Sequence, residues 1–369
     1  MDSIMSNESD NFTMPVDRHH DPVWLVALRF TVVCIGIVLN ILVTVVFVYI
    51  KMYKKSLLHG LIVQQSFLDL FGCCTFLFFY NQDAPDGEYG TIFCKARTLF
   101  WIIASTSTYN LVVITIERYL AVVHPIWYRF RSEENKSILF YIMFYLIPYI
   151  MGTLILFHLG ILAEVNEDSP GECRYNYPNR TVGYVSGICI FLLLFFVPSS
   201  IMIYCYGVVI WTVRKHDIFR KSLQQQQNRS QQTQNPELKE QNSHQQKKSK
   251  QNLEKRNSTS HISMHRNLIF TMLFVVIGFI CTSSPNFTLY LVYIICQCFE
   301  FSTIVGHEIT VLMYTSNMCI NPIIYGVKMR DFRNGLHQIW RKIHGLARRD
   351  FHPNSSSPSQ SSGVTTSSC

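Results

Sequence analysis

The fold that this sequence predicts is all-α: a bundle of seven membrane-crossing helices followed by a short amphipathic helix on the membrane surface. Three observations predict it. Only 15% of the 369 residues are charged while 49% are hydrophobic, whereas an ordinary soluble protein carries about a quarter charged residues. The apolar residues gather into runs of roughly 20–30, enough to cross a hydrocarbon core with some tilt. Lys and Arg concentrate in alternate loops between those runs, the asymmetry that fixes topology.

The runs are Val23–Ile50, Leu58–Tyr80, Phe93–Val123, Ser137–Ala163, Val182–Val213, Asn267–Cys296 and Phe301–Val327. Backbone groups in lipid find no water, so runs of this length are helices. Lys51, Lys54 and Lys55 follow the first run, and Arg129, Arg131 and Lys136 follow the third. Arg214, Lys215, Arg220 and Lys221 follow the fifth. These loops face the cytosol, so residues 1–22 are extracellular and the C-terminus is inside. The opposite loops are acidic, with Asp83, Asp86, Glu88, Glu164, Glu167, Asp168, Glu172, Glu300 and Glu308. The N-terminal segment is polar and acidic, and no cleaved signal peptide is expected there. Residues 23–327 form the transmembrane domain. Within it, residues 216–261 are Gln-, Asn- and Ser-rich and are expected to be disordered. Residues 328–344 repeat Phe332, Leu336, Ile339, Trp340 and Ile343 at helical spacing among basic residues, as a membrane-surface helix does. Residues 345–369 form a Ser/Thr-rich tail expected to be disordered.

Composition also excludes functions. The net charge of +8 lies in inter-span loops, so it marks topology rather than a nucleic-acid surface. Most of the twelve cysteines sit inside apolar runs, where a thiol is a small hydrophobe. No Cys/His set has zinc spacing. The sequons at Asn7, Asn11 and Asn179 fall on the outer side and are candidate glycan acceptors. No catalytic set of an intramembrane protease is present, and His307-Glu308 lacks the second His of a zinc helix motif. No two segments match as the repeats of a transporter would.

Polar residues inside the runs carry the functional signal. Asp69 stands midway along the second run, and a carboxylate there is a functional-site candidate. The alternative is a structural group held neutral by hydrogen bonds. Asn40, Ser107, Asn317 and Asn321 lie at matching depth and are candidates for a network around it that holds water or a small cation. Glu117, Arg118 and Tyr119 end the third run at the cytosolic boundary, where an Arg can also simply snorkel. Pro198, Pro285 and Pro322 interrupt the fifth, sixth and seventh runs and free carbonyls that neighbouring helices must satisfy.

This set, Asn40, Asp69, Glu117-Arg118-Tyr119, Pro198 with Tyr206, Phe279 with Pro285, and Asn321-Pro322-Ile323-Ile324-Tyr325, resembles the rhodopsin-like (class A) G-protein-coupled receptors, most of all their peptide-binding branches. The resemblance implies a multi-pass plasma-membrane receptor and not an enzyme. An extracellular ligand would shift the bundle between two packings, moving the sixth helix outward to open a cleft for a heterotrimeric G protein. It implies that Arg118 contacts the G protein, that Tyr206 and Tyr325 rearrange toward it, and that Pro125 and Ile126 dock on its α subunit. It implies a disulfide between Cys94 and Cys173, which exposed thiols in an oxidising compartment also support. Asp69, Ser107, Asn317 and Asn321 resemble the family's site for a sodium ion, a negative modulator. Phe332 resembles the anchor of the surface helix, and phosphorylation of the tail, Ser355 to Ser368, would recruit arrestin.

The departures matter as much. Cys94 is one residue closer to Arg118 than is usual, so a bulge or a shifted outer turn is expected. Gln65-Ser66 replaces Leu-Ala before the Asp, and Met318 replaces a small polar residue. Ser283 stands where the family has its switch Trp, so that toggle is missing. His265 stands where a Glu often faces the Arg, and the expectation is a loosely locked resting state with appreciable basal signalling. Phe100 occupies the position of the amine receptors' Asp, and Thr315 that of the opsins' Lys, which excludes amines and retinal. The mouth that remains has charges of both signs, Arg97, Glu172, Arg174, Glu300, His307 and Glu308, over Phe100, Trp101 and Tyr290. It suits a peptide, with a lipid-like or other small non-amine ligand as the alternative.

Overall fold

The computed structural model describes residues 22–133, 137–166, 171–233, 244–296 and 305–350. Its helices are α1 (Val23–Tyr49), α2 (Leu57–Phe79), α3 (Gly87–Val123), α4 (Pro125–Glu133), α5 (Ser137–Leu162), α6 (Arg180–Phe191), α7 (Val197–Thr233), α8 (His244–Cys296), α9 (Val305–Lys328) and α10 (Arg330–Asp350). A single π turn, Leu192–Phe196, joins α6 to α7, and these make one span. By length and apolar composition, six spans qualify among the described residues. The seventh, α9, has 24 residues and buries Thr315, Asn317 and Asn321 in the bundle. It relies on its neighbours rather than on its own hydropathy.

Local chemistry sets the ends. The Ser56 side chain accepts from the His59 N–H and caps α2, and Asn179 accepts from the Val182 N–H at 2.9 Å and caps α6. Pro125 opens α4, where its missing N–H costs nothing. Polar sequence around 216–261 predicted disorder. Instead α7 continues to Thr233 and α8 begins at His244. Gln, Lys and Glu are good helix formers, and extending a helix already nucleated in the membrane avoids the initiation cost. The outer loop after α5 folds as a hairpin that the sequence did not announce. In it β1 (Ala163–Val165) pairs antiparallel with β2 (Cys173–Tyr175), placing Ala163 opposite Tyr175 and Val165 opposite Cys173. The Cys94–Cys173 disulfide, with Cα atoms 5.5 Å apart, ties this hairpin to α3. The expected bulge is absent: α3 is regular throughout, and its outer end simply starts early, at Gly87.

α3 is the axis of the bundle, packing on α2, α5 and α7 and touching α4, α8 and both strands. The interior has two apolar cores. The inner one includes Phe47, Leu61, Val113, Tyr206, Phe279, Tyr325 and Phe332. The outer one includes Val33, Phe76, Phe100, Tyr109, Phe287, Val311 and Tyr314. Between them, along each helix in turn, lie Asn40, Asp69, Ser107, Ser283 and Asn321, all buried. On the inner side, Phe332 packs under Phe47 with ring centroids 6.2 Å apart and holds α10 against α1. His59 on α2 faces Asp331 at 3.5 Å, and that contact holds the Asp331 carboxyl below the usual carboxylate range.

The π turn has a cause. In its register the Leu193 carbonyl would receive the N–H of residue 198, but that residue is Pro198 and has none. The Tyr109 hydroxyl of α3 donates to the Leu193 carbonyl instead, at 2.7 Å. Tyr109→Phe should strand that carbonyl and destabilise the fold by about 1–3 kcal/mol, read as a lower melting temperature in detergent. An unchanged melting temperature would mean the carbonyl finds another donor.

Candidate functional site

Three groups of polar or aromatic residues sit along the axis. At the inner end, the last turns of α3 bring Glu117 and Arg118 into a two-pronged ion pair, Nε and Nη2 of the guanidinium each donating to a carboxylate oxygen. The Tyr128 hydroxyl of α4 donates to the same carboxylate. Glu117 is fully buried and Arg118 nearly so. A planar fork on a carboxylate is a strong pairing, and here it keeps Arg118 within the bundle rather than turned off its end. Snorkelling is thereby excluded for this side chain. Tyr119 packs on His124 and Tyr204, outside the pair. Tyr206 and Tyr325 are buried beneath it, with Tyr206 in electrostatic reach of Arg118. Neither hydroxyl makes a hydrogen bond to a described residue. Ile126, at the start of α4, is 85% exposed. The His265 side chain lies outside the described residues.

At mid-depth, Asp69 is completely buried and takes its partners from three helices. Its Oδ1 accepts from Gln65 at 2.9 Å and Ser107 at 2.7 Å, and its Oδ2 accepts from Asn321 at 2.9 Å. Gln65 also joins Asn110 of α3, whose amide donates to the Gln65 oxygen at 2.9 Å and to the Leu61 carbonyl at 3.1 Å. The Leu61 carbonyl can only accept, so this chain of donors fixes which end of Gln65 faces the Asp. Asn40 lies apart, bonding the Gly36 and Met318 carbonyls, and Asn317 makes no bond to Asp69. A sodium ion needs oxygen lone pairs turned toward it. The atoms turned toward this carboxylate are N–H and O–H donors, and Gln65 contributes the first of them. Gln65 thus takes a lone pair of the carboxylate that a sodium ion would use, while Asn317 and Asn321 keep buried Oδ1 atoms without a hydrogen-bond partner among the described residues. Among the described residues, no group of His, Cys, Asp and Glu gathers as a metal site.

At the outer end, Arg29 of α1 is buried and pairs with Glu308 in the first turn of α9. It also donates to the Tyr80 carbonyl at 3.3 Å, covering the C-terminal end of α2. Arg97 of α3 stacks over the Tyr80 ring at 4.1 Å. Below them Trp101 stacks on Tyr314 at 5.7 Å, Tyr314 meets Phe287 edge-on at 5.5 Å, and Phe287 stacks on Phe195 of the π turn at 5.7 Å. Of the predicted ligand residues, the structure brings Arg97, Trp101 and Glu308 together. Tyr290 stands on α8 beside Tyr177. Phe100 is a correction: it is fully buried against Phe76, Tyr80 and Trp101, a part of the core rather than the lining. Asn179 is an exposed cap, while Asn7, Asn11, Glu300 and the Ser355–Ser368 tail lie outside the described residues.

Sequence reasoning missed Arg29, Asn110, Phe287 and Tyr314. Arg29 carried a usable signal, since a lone Arg inside an apolar run meets the same rule that singled out Asp69. The aromatic chain carried none, because Phe and Tyr in a membrane run are ordinary core.

The family model described as 7 transmembrane receptor (rhodopsin family) matches residues 39–325. The chain is 24% identical over 231 residues to the substance-P receptor of Meriones unguiculatus, covering 57% of this chain and 55% of that one. It is 27% identical over 150 residues to the tachykinin-like peptides receptor 86C of Drosophila melanogaster, covering 38% and 29%. Against the gastrin/cholecystokinin type B receptor of Rattus norvegicus it is 29% identical over 127 residues, covering 33% and 26%. The chain thus spans about half the length of the first of these relatives, or less.

The donor set at Asp69 gives a direct test. The purified chain should melt at the same temperature in sodium chloride and in choline chloride of equal ionic strength. Gln65→Leu, which removes the first donor, should melt lower and gain a sodium-dependent upward shift. A sodium-dependent shift in the parent would refute this reading of the site.

Proposed function

The chain belongs to the rhodopsin family of seven-transmembrane receptors, and on that premise we propose that it binds an extracellular peptide in the outer half of the bundle and activates a heterotrimeric G protein at the inner face. The observation that carries the proposal is the Glu117–Arg118 pair, buried and closed at the inner mouth. A guanidinium so held is withheld from any cytosolic partner, and opening the bundle frees it. The peptide reading is supported by relatives named as receptors for substance P, tachykinin-like peptides and gastrin/cholecystokinin. It is supported also by a mouth that combines charges with an aromatic floor.

In this mechanism the two ends communicate through packing. With Ser283 in place of a bulky toggle, the Trp101–Tyr314–Phe287–Phe195 chain crosses from α3 through α9 and α8 to the π turn, one helical turn further out. A ligand side chain resting on Trp101 shifts this stack, and α8 moves with Phe287. The cytoplasmic end of α8 then swings away from α3, and Arg118 exchanges Glu117 for the G protein. The Tyr206 and Tyr325 hydroxyls, which make no hydrogen bond to a described residue, turn to the extended Arg118 and hold the open state. The exposed Ile126 docks on the α subunit, with Pro125 shaping its turn. We place the N-terminus outside and the C-terminus inside the plasma membrane, following the basic loops. Glycans on Asn7, Asn11 and Asn179, and arrestin recruited by phosphorylation of the Ser/Thr tail, complete the reading.

Nucleotide exchange on purified G protein tests it. Arg118→Ala, expressed normally at the surface, should abolish exchange. Glu117→Gln, which weakens the clasp, should raise ligand-free exchange several-fold over the parent, by roughly 1 kcal/mol or more of lost restraint. Exchange that survives Arg118→Ala would overturn the proposal. Phe287→Ala should lower the maximal response to an activating peptide more than it lowers that peptide's binding, and equal losses in both would remove the aromatic chain from the mechanism.

A further inference from the structure

Among the described residues, one carboxylate serves two arginines where α1, α2, α3 and α9 meet at the outer end of the bundle. Arg29 and Arg97 bring two guanidinium groups to opposite sides of Tyr80, one on its carbonyl and one on its ring. Glu308 is the carboxylate that acts on both, and it is already paired with Arg29. Glu164, in the nearby hairpin, is taken by Arg174 at 3.0 Å. His307 lies beside both arginines and brings no negative charge. Among the described residues no carboxylate pairs with Arg97. A guanidinium so placed, against a ring face and without a carboxylate at ion-pair distance among the described residues, can still take an anion.

Resting on the proposal of a peptide receptor, we infer that Arg97 is the reader of a carboxylate carried by the ligand, either the C-terminal carboxylate of a peptide or an Asp or Glu side chain within it. Contact with the Tyr80 ring at 4.1 Å holds the guanidinium in place, and a guanidinium offers a planar anion the two-pronged pairing that an ammonium does not. The Arg29–Glu308 pair beside it has a different task. It holds α1 to α9 and sets the wall of the site, so that the net charge facing the ligand is that of Arg97. Trp101 lies one turn deeper on α3, so the residue next to the carboxylate reaches the aromatic chain. The anion therefore sets the register in which an apolar side chain meets the switch.

Matched peptides on cells expressing the full chain test this. Each library member is made as free acid and as C-terminal amide, and with Asp and Glu replaced by Asn and Gln. Activating peptides should lose about ten- to a hundredfold in potency when one particular carboxylate is neutralised, and the arm showing the loss identifies its source. Arg97→Gln should make the matched forms equipotent, and Arg97→Lys should restore only part of the preference. Peptides that activate equally with and without carboxylates overturn the inference while leaving the receptor reading intact. A second measurement needs no ligand. Arg29→Gln, which removes the ion pair to Glu308, should lower the melting temperature of the purified receptor more than Arg97→Gln does. An equal or larger fall with Arg97→Gln would make Arg97 a structural cation and overturn the inference. A library silent on the parent counts against the peptide reading, and the melting temperatures then decide the inference alone.

Discussion

A carboxylate with no exposure to solvent, midway through a bundle of apolar helices, is the constraint on which the rest of this molecule depends. Burying Asp69 is tolerable only if donors reach both of its oxygens. The donors come from Gln65 on its own helix, Ser107 on α3 and Asn321 on α9. This requirement fixes the rotation of three helices about their own axes. It also divides the interior into an inner and an outer core, because each helix that crosses the layer gives up apolar packing there. The polar layer joins the two halves of the receptor and is where they can move relative to one another.

The two ends carry charge in different ways. The inner end stores a guanidinium against its own neighbour, Glu117, so that it becomes available only when the helices part. The outer end pairs one arginine with Glu308 and stacks a second, Arg97, on a ring, with no carboxylate ion pair to it among the described residues. Between them, the π turn at Leu192–Phe196 brings Phe195 to Phe287 and is itself held by Tyr109. The irregularity forced by Pro198 is thus part of the aromatic path by which the outer end reaches α8.

Much of the fold and of the inner site was legible in the sequence. Apolar runs bounded by basic loops located the helices, and the adjacent Glu117 and Arg118 sat where the structure clasps them together. Asp69 stood out because an acid in an apolar run has no bland explanation. The outer site was harder to read. Phe100 looked like pocket and is core, since a run apolar on every face does not say which side chain faces the cavity. Helix at either end of the 216–261 stretch was missed because the reading weighed burial, which polar residues lack, over helix propensity, which Gln and Lys have.

By itself, then, the sequence determined the number of spans and picked out the two ionisable groups on the axis, because hydropathy and charge act locally and need no knowledge of neighbours. Tertiary structure alone decided that Gln65 donates to Asp69, that Arg29 is spent on Glu308 while Arg97 is not, and that four aromatic rings on separate elements form one chain. Those contacts depend on how each helix is rotated and how deep it sits. In a bundle where lipid-facing and inward faces are both apolar, only the packing of all the helices together fixes either.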